Sequence, residues 1–180
     1  MSKYAAEAAE IKEAARYQPI KVLVWGPGDP GPGASAEAKA GYQKRLQIRA
    51  VLRDRFPCAE VYFSEDAEMI QLTEGLGGQL LKEAVQARLS DLVIMLDLGR
   101  GVDLELDHYI PTYDWFPRRV FLLVPKKYVD TKGLVREILD YLLPHQIMGF
   151  TPEEFEVCTV AKEMAVAAAL ATALDRALKR

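Results

Sequence analysis

The residues best suited to chemistry are acidic and aromatic side chains that come directly after apolar runs of the sequence. Trp25 ends one such run, Ser64 and Asp66 follow a second, and Asp97 follows a third, with Glu105 a few residues further on. An ionised carboxylate in a crevice can attack a sugar carbon as a nucleophile, or stabilise positive charge that develops on that carbon. The pattern therefore predicts a predominantly acidic site at the ends of these runs.

The segment after Asp97 predicts a helix that begins near Val102, which places Glu105 in its first turn. Nearby amide groups and the helix dipole help a carboxylate in that position to stay ionised. The alternative is that Asp103 and Glu105 only favour the start of the helix, as acidic residues do in first turns generally. On the residues alone, the helix-start interpretation is favoured.

A glycine- and proline-rich segment follows Trp25 and formally contains the dinucleotide-binding pattern G-x-G-x-x-G between Gly26 and Gly31. That fingerprint needs a helix to open at its third glycine, whereas Pro30 and Pro32 keep the chain extended to about Ser35. A loop or lid is the better interpretation. The sequence contains no G-K-[ST], so a P-loop is excluded.

The elements that must position these residues can be read from the hydrophobic pattern. Apolar runs predict five strands, at Ile20–Trp25, Glu60–Phe63, Asp91–Leu96, Arg119–Val124 and Phe155–Val160. The third run is the most apolar and predicts the central strand. Helical patterns lie between the runs, and strands that alternate with helices must be parallel. Because the strands are apolar throughout, helices are expected on both faces of the sheet, which predicts a doubly wound, flavodoxin-like α/β fold. In such sheets ligands bind beyond the carboxyl ends of the strands.

Several helical faces can also be predicted. Helices are expected at 35–56 and 134–142, and a third at 81–89 with Leu81, Ala84, Val85 and Leu89 facing inward. The last helix should turn one side to the sheet, formed by Val160, Met164, Ala167, Ala171, Leu174 and Leu178. Arg45, Arg49 and Arg53 recur at every fourth position of the 35–56 helix. They form either a phosphate- or partner-binding stripe or a solvated face, and the solvated face is favoured.

Length and composition favour one α/β domain at 19–180, preceded by a polar helix at 1–18 that docks weakly or serves as an oligomer contact. No apolar run approaches the length needed to span a bilayer, and the first residues lack a signal-peptide pattern, so a cytoplasmic protein without a membrane partner is expected. The formal net charge of -3 makes nucleic acid an unexpected partner. Cys58 and Cys158 are far apart and few histidines accompany them, so neither a metal site nor a cofactor is predicted.

Two short motifs give the chain a family resemblance. Trp25-Gly26-Pro27 after the first strand and the stretch Gly101-Val-Asp-Leu-Glu105 after the third resemble the nucleoside 2-deoxyribosyltransferase-like superfamily, which is related to TIR-type NAD-cleaving domains. The resemblance implies that Trp25 lines a sugar pocket, that Glu105 takes the deoxyribosyl group and that Asp97 contacts the nucleoside. Val102 stands where the family often has threonine, and Leu106-Asp-His108 lacks the glycine that usually follows the glutamate.

The resemblance thus implies cleavage or transfer of an N-glycosidic bond in a nucleoside or nucleotide, NAD included. Glu105 and Asp97 are the predicted catalytic residues. The predicted substrate-binding residues are Trp25, Gly26, Pro27, Ser64, Asp66, Gly101 and Asp103. A homo-oligomer is implied as well, because family members often complete their sites across subunits. Two other classes stay open: a nucleotide-binding or TIR-like signalling module without turnover, and an interaction scaffold.

Overall fold

The computed structural model describes residues 3–96, 100–126, 141–157 and 159–179. Within its helices it describes the backbone alone at residues 3, 37, 100–105, 155–157, 159 and 160. The strands are β1 Lys21–Trp25, β2 Glu60–Tyr62, β3 Leu92–Leu96, β4 Val120–Pro125 and β5 Ile147–Phe150. The helices of the described part are α1 Lys3–Arg16, α2 Ala36–Arg55, α3 Ala67–Leu72, α4 Gln79–Arg88, α5 Arg100–Thr112, α6 Pro152–Val157 and α7 Thr159–Leu178.

The five strands form one sheet in the order β2-β1-β3-β4-β5, and every neighbouring pair is parallel. This confirms the predicted flavodoxin-like α/β fold and the central place of β3. Alternate residues of each strand point to opposite faces. Val22 and Val24 join one core cluster, and Leu23 and Trp25 join the other. Both clusters are apolar, which explains why the strands lack a polar face.

Helices cover both faces of the sheet, as predicted. The core cluster on one face contains residues of α1, α2 and α7, and the cluster on the other contains residues of α4 and α5. α2 matches the predicted helix closely, because the Oγ of Ser35 accepts a hydrogen bond from the backbone N–H of Ala38 at 3.2 Å and caps its first turn. The helix ends before Phe56, where Pro57 follows.

The predicted fifth strand at Phe155–Val160 is wrong. The strand lies earlier, at Ile147–Phe150, and residues 152–157 form α6. Thr151 and Glu154 explain the helix, since the Glu154 N–H donates to the Thr151 Oγ1 at 3.2 Å and the Thr151 N–H donates to Glu154 Oε2 at 2.8 Å. This reciprocal capping box, with Pro152 in the first turn, starts a helix where the apolar residues had suggested a strand.

Two predicted helix faces are also wrong in register. α7 buries a stripe of alanines, Ala161, Ala165, Ala169 and Ala173, whereas the predicted Ala167 and Ala171 are exposed and Leu178 is 79% exposed. The small side chains let the helix approach the sheet closely, so the helix turns them inward rather than its larger residues. In α4 Ala84 is buried as predicted, but Leu81 and Leu89 are exposed.

Other predictions fall partly or wholly outside the described residues. The helix expected at 134–142 lies there except for its last two positions, and so does Cys158. The helix expected at 1–18 is α1, whose Ala15 is buried in the core cluster that includes α7. Cys58 is exposed in a turn. Among the described residues, no helix has the length and apolar character to cross a bilayer.

Candidate functional site

The strand order places the switch point of the sheet at its carboxyl edge between β1 and β3, where a crevice is expected. The two strands are neighbours, and Trp25 at the end of β1 pairs with Met95 of β3. The chain then leaves them in opposite directions, since α2 covers one face of the sheet and α5 the other. Loops that diverge from adjacent parallel strands leave an opening between them, and ligands of doubly wound folds bind at this switch point.

Gly26 shapes this edge because β1 leaves the sheet close to the end of β3. Its φ of 153° lies in a region that side chains rarely adopt. A Cβ at this position would lie 3.1 Å from the Leu96 Cβ and 3.3 Å from the Leu96 carbonyl oxygen. A glycine is therefore required here for a structural reason, and Pro27 follows it into the loop.

A buried arginine ties the loops after β1 and β2 together. The Nε of Arg45 donates to the Val24 carbonyl at 3.0 Å, and its Nη1 donates to the Pro27 carbonyl at 3.4 Å. The two terminal nitrogens bind the carboxylate of Glu65 in a bidentate pair, at 2.6 and 2.8 Å. We call the Arg45–Glu65 pair the buried clamp, because the Arg45 side chain is 2% exposed. It holds one wall of the crevice in place.

Arg49 makes a second contact to the loop after β2. Its Nη1 lies 3.0 Å from both carboxylate oxygens of Asp66, which also accepts the backbone N–H of Phe63 at 2.8 Å. The guanidinium groups of Arg45 and Arg49 lie 4.0 and 3.6 Å from the centre of the Phe63 ring. Arg53 donates to the Val61 carbonyl at 2.8 Å. The prediction of a solvated arginine face is thus wrong for Arg45 and Arg49, whereas Arg53 is exposed although it contacts β2.

Ser64 lies in the same loop and is partly buried. Its carbonyl accepts a hydrogen bond from Nε2 of the buried Gln86 at 3.2 Å, and the same nitrogen donates to the Met69 carbonyl at 3.1 Å. α4 therefore fixes this loop from the other side. The role of Ser64 in substrate binding stays a prediction, as does that of Asp66, whose carboxylate is engaged by Arg49.

Trp25 belongs to an aromatic cluster under α5. It is 4% exposed, and its ring centre lies 5.4 Å from that of Tyr109 and 5.8 Å from that of Phe116. The indole N–H is buried and has no hydrogen-bond partner among the described residues. A buried donor without an acceptor costs free energy, and this one lies on the last residue of β1. The cluster places Trp25 on the sheet face that α5 covers.

The other predicted residues follow β3. Asp97 lies outside the described residues, and at Gly101, Asp103 and Glu105 the structure describes the helical backbone alone. α5 begins at Arg100, two residues before the predicted start. Helical positions four residues apart lie on the same side of a helix, so position 105 lies one turn before Tyr109, the residue in contact with Trp25.

The buried clamp was missed from the sequence, although a signal for it exists. Arg45 and Arg49 are one helical turn apart, and Glu65 and Asp66 are consecutive acidic residues in the loop after β2. Pairing the two sets would have required knowing that α2 passes beside the end of β2.

No protein-family model matches this chain, and no curated protein matches it. The interpretation of the site therefore depends on the fold and on the residues themselves.

Proposed function

We propose that the crevice between β1 and β3 binds a nucleoside or nucleotide and that the protein cleaves its N-glycosidic bond. The observation that carries this proposal is the position of Trp25. Its side chain lies on the sheet face covered by α5 and contacts Tyr109, one turn after position 105. The residue expected to line the sugar pocket and the helix turn expected to supply the nucleophile therefore border the same side of the switch point.

In the proposed reaction, Glu105 attacks the anomeric carbon of the sugar or stabilises the positive charge that develops there. The base leaves with the electrons of the glycosidic bond and takes a proton, and water then attacks the anomeric carbon and releases the sugar. Three donors were considered from the sequence: Asp97, Asp66 and water. Asp66 fits this role least, because Arg49 and the Phe63 N–H already engage its carboxylate.

Trp25 has a narrower part in this proposal than the family resemblance implies. A ring that is 4% exposed offers little surface on which a base or sugar could stack. Its contribution is to the wall of the crevice, because its ring packs against Tyr109 of α5 and against Phe116. Gly26 and Pro27 contribute backbone at the mouth of the crevice, and the buried clamp keeps that backbone in position.

The test is release of free base from deoxynucleosides and from NAD, measured by chromatography. We expect the wild-type chain to release base and Glu105→Gln to reduce the rate by at least about 100-fold, the scale of losing one catalytic group. Asp107→Asn is the matched control, because Asp107 is an exposed acidic residue of the same helix. The proposal is wrong if Glu105→Gln and the wild-type chain release base at equal rates.

The alternative is a nucleotide-binding or TIR-like signalling module that does not turn its ligand over. Val102 in place of the family's threonine, and the missing glycine after Glu105, favour this alternative. A thermal-shift panel of nucleosides, nucleotides and NAD separates the two functions. A ligand at a hundredfold excess over its Kd stabilises a protein by about 2.7 kcal/mol, so binding without base release would select the signalling module.

A further inference from the structure

A second hollow lies at the opposite, amino edge of the sheet. It is a cavity of about 340 Å³ between the first residues of β3 and β4, the turn at Pro144–Gln146 and one side of α7. Its apolar walls are formed chiefly by Leu92, Val120, Phe121, Met164, Ala168 and Ala171. Cavities of several hundred Å³ with apolar walls and a few polar groups are typical of small-molecule sites.

The cavity exists because of the way α7 lies on the sheet. The helix buries its stripe of small alanines, which leaves the neighbouring Ala167 and Ala171 uncovered. Side chains this short cannot reach across to the start of β4, so space remains between the helix and Phe121. A leucine at either position would fill much of this space.

Polar groups gather at the mouth of the cavity. Arg118, His145 and Gln146 line both this cavity and a neighbouring hollow, also of about 340 Å³, which extends past Tyr141. Gln146 is committed to the fold, because its Nε2 donates to the Pro117 carbonyl at 2.5 Å and to the Val120 carbonyl at 2.9 Å. Gln146 thereby holds the turn that carries His145 against the start of β4, so the fold itself forms the mouth of the cavity.

Positive charge at this edge is incompletely balanced by the described residues. Arg118 is exposed and has no ion pair within the described part of the chain. Arg119 also lines the cavity, and burial, followed by the charge of Arg88, lowers the pKa of Arg119. The carboxylate of Asp91 raises the pKa of Arg119, but this carboxylate is already bound by Arg176 and by the backbone N–H of Lys21.

One further carboxylate faces this region. Asp114 lines the neighbouring hollow but not the cavity itself, and it makes no salt bridge to Arg118 within the residues that the structure describes. The cavity is therefore an apolar space whose charged lining groups are basic. This combination suits a ligand that brings its own negative charge.

We propose that the amino-edge cavity is a binding site for a small anion with an apolar body. The anionic group, a carboxylate or a phosphate, binds at Arg118 and His145, and the apolar body lies against Ala168 and Ala171. A guanidinium matches both kinds of anion, because its planar N–H groups can bind two oxygens at once. The cavity is separate from the carboxyl-edge crevice, so this proposal does not depend on the proposed cleavage reaction.

The test is an amide NMR titration of the full chain with three probes: benzoate, phenyl phosphate and the neutral benzamide. We expect at least one of the two anions to shift the amide signals of Leu92, Phe121 and Thr172. Benzamide should bind about tenfold more weakly or worse, since it lacks the charge-assisted contact. The anion that binds more tightly identifies the class of natural ligand.

Three variants make the test specific to the cavity. Arg118→Gln should weaken binding of the anion about tenfold, and Ala171→Leu should abolish it while the rest of the spectrum stays that of a folded chain. Arg55→Gln, a charge removal on exposed α2 surface, is the matched control and should leave binding unchanged. The proposal is overturned if neither anion shifts these amides, if benzamide binds equally well, or if Ala171→Leu binds the anion as tightly as the wild-type chain.

Discussion

Replacing Glu65 by glutamine removes the negative charge that faces the buried guanidinium of Arg45. The two side chains differ greatly in exposure, since Arg45 is 2% exposed and Glu65 is 48% exposed. Loss of one partner from a fully buried ion pair costs about 3–5 kcal/mol, because the remaining charge stays buried and uncompensated. Solvent reaches Glu65 and weakens the pair, so we expect Glu65→Gln to lower the free energy of unfolding by about 2 kcal/mol.

The converse change, Arg45→Met, tests the same contact from the buried side. It removes the buried charge, which is favourable, but it leaves the Val24 and Pro27 carbonyls without their guanidinium donor. A lost hydrogen bond of this kind costs about 1 kcal/mol, so the total should again be about 2 kcal/mol. Once Arg45 is absent, Glu65 has no buried partner to compensate. The double variant should therefore be more stable than the sum of the single changes predicts, by about 1.5 kcal/mol.

Denaturant unfolding of the wild-type chain, both single variants and the double variant measures this coupling energy. The Lys179–Asp175 pair is the control, because it is exposed at 73% and 62% and spans one helical turn. Exposed pairs of this kind couple by about 0.5 kcal/mol or less. A clamp coupling no larger than that of the control pair would refute the argument that burial makes the Arg45–Glu65 contact strong.

Two further predictions concern Gly26 and Tyr62. Gly26→Ala should lower the free energy of unfolding by about 1 kcal/mol or more. Alanine is strained at a φ of 153°, and its Cβ would lie 3.1 Å from the Leu96 Cβ. Denaturant unfolding that Gly26→Ala leaves unchanged would contradict this prediction. Burial, and then the hydrogen bond and charge of Glu60, raise the pKa of Tyr62 above its ordinary value of 10.0, so Glu60→Gln should lower that pKa in a tyrosinate absorbance titration. Because the folded state favours the neutral phenol, its contribution to stability is present below the unfolded pKa and is lost as pH rises through the folded one. A Tyr62 titration that Glu60→Gln leaves unmoved would show that the two groups do not interact.

The central strands could be predicted because a parallel sheet covered on both faces demands continuous apolar runs. β1, β3 and β4 all meet this demand, and their predicted ends lie within one residue of the observed ones. β5 was missed, since Ile147-Met-Gly-Phe150 is short, contains a glycine and is mostly half-buried at the sheet edge. The later run at 155–160 looks more like a strand, but the capping box of Thr151 and Glu154 starts a helix immediately before it.

The helix registers were harder to predict because side-chain size misleads when a helix lies close to a sheet. The stripe of α7 that contains Met164 looked like the buried side, since it has the larger apolar residues. The structure buries the stripe of alanines instead, and the predicted stripe borders the amino-edge cavity. Sequence periodicity gives the spacing of a buried face but does not decide between two apolar faces of one helix.

The arginines of α2 show a similar limit for charged residues. A repeat of Arg45, Arg49 and Arg53 is compatible with a solvated face as far as the helix alone is concerned. Their partners, Glu65 and Asp66 among them, come from β2 and the loop after it. These contacts depend on how α2 packs beside the end of β2, and no local sequence pattern specifies that packing.

The proposed cleavage reaction requires the sugar of the substrate to lie between the end of β1 and the first turn of α5. A crystal structure with a nucleoside analogue that resists cleavage measures this directly. We expect the sugar of the analogue to contact Gly26 on one side and the Glu105 carboxylate on the other. An analogue found at the amino-edge cavity instead, or a Glu105 carboxylate that faces away from the bound sugar, would contradict the proposed function.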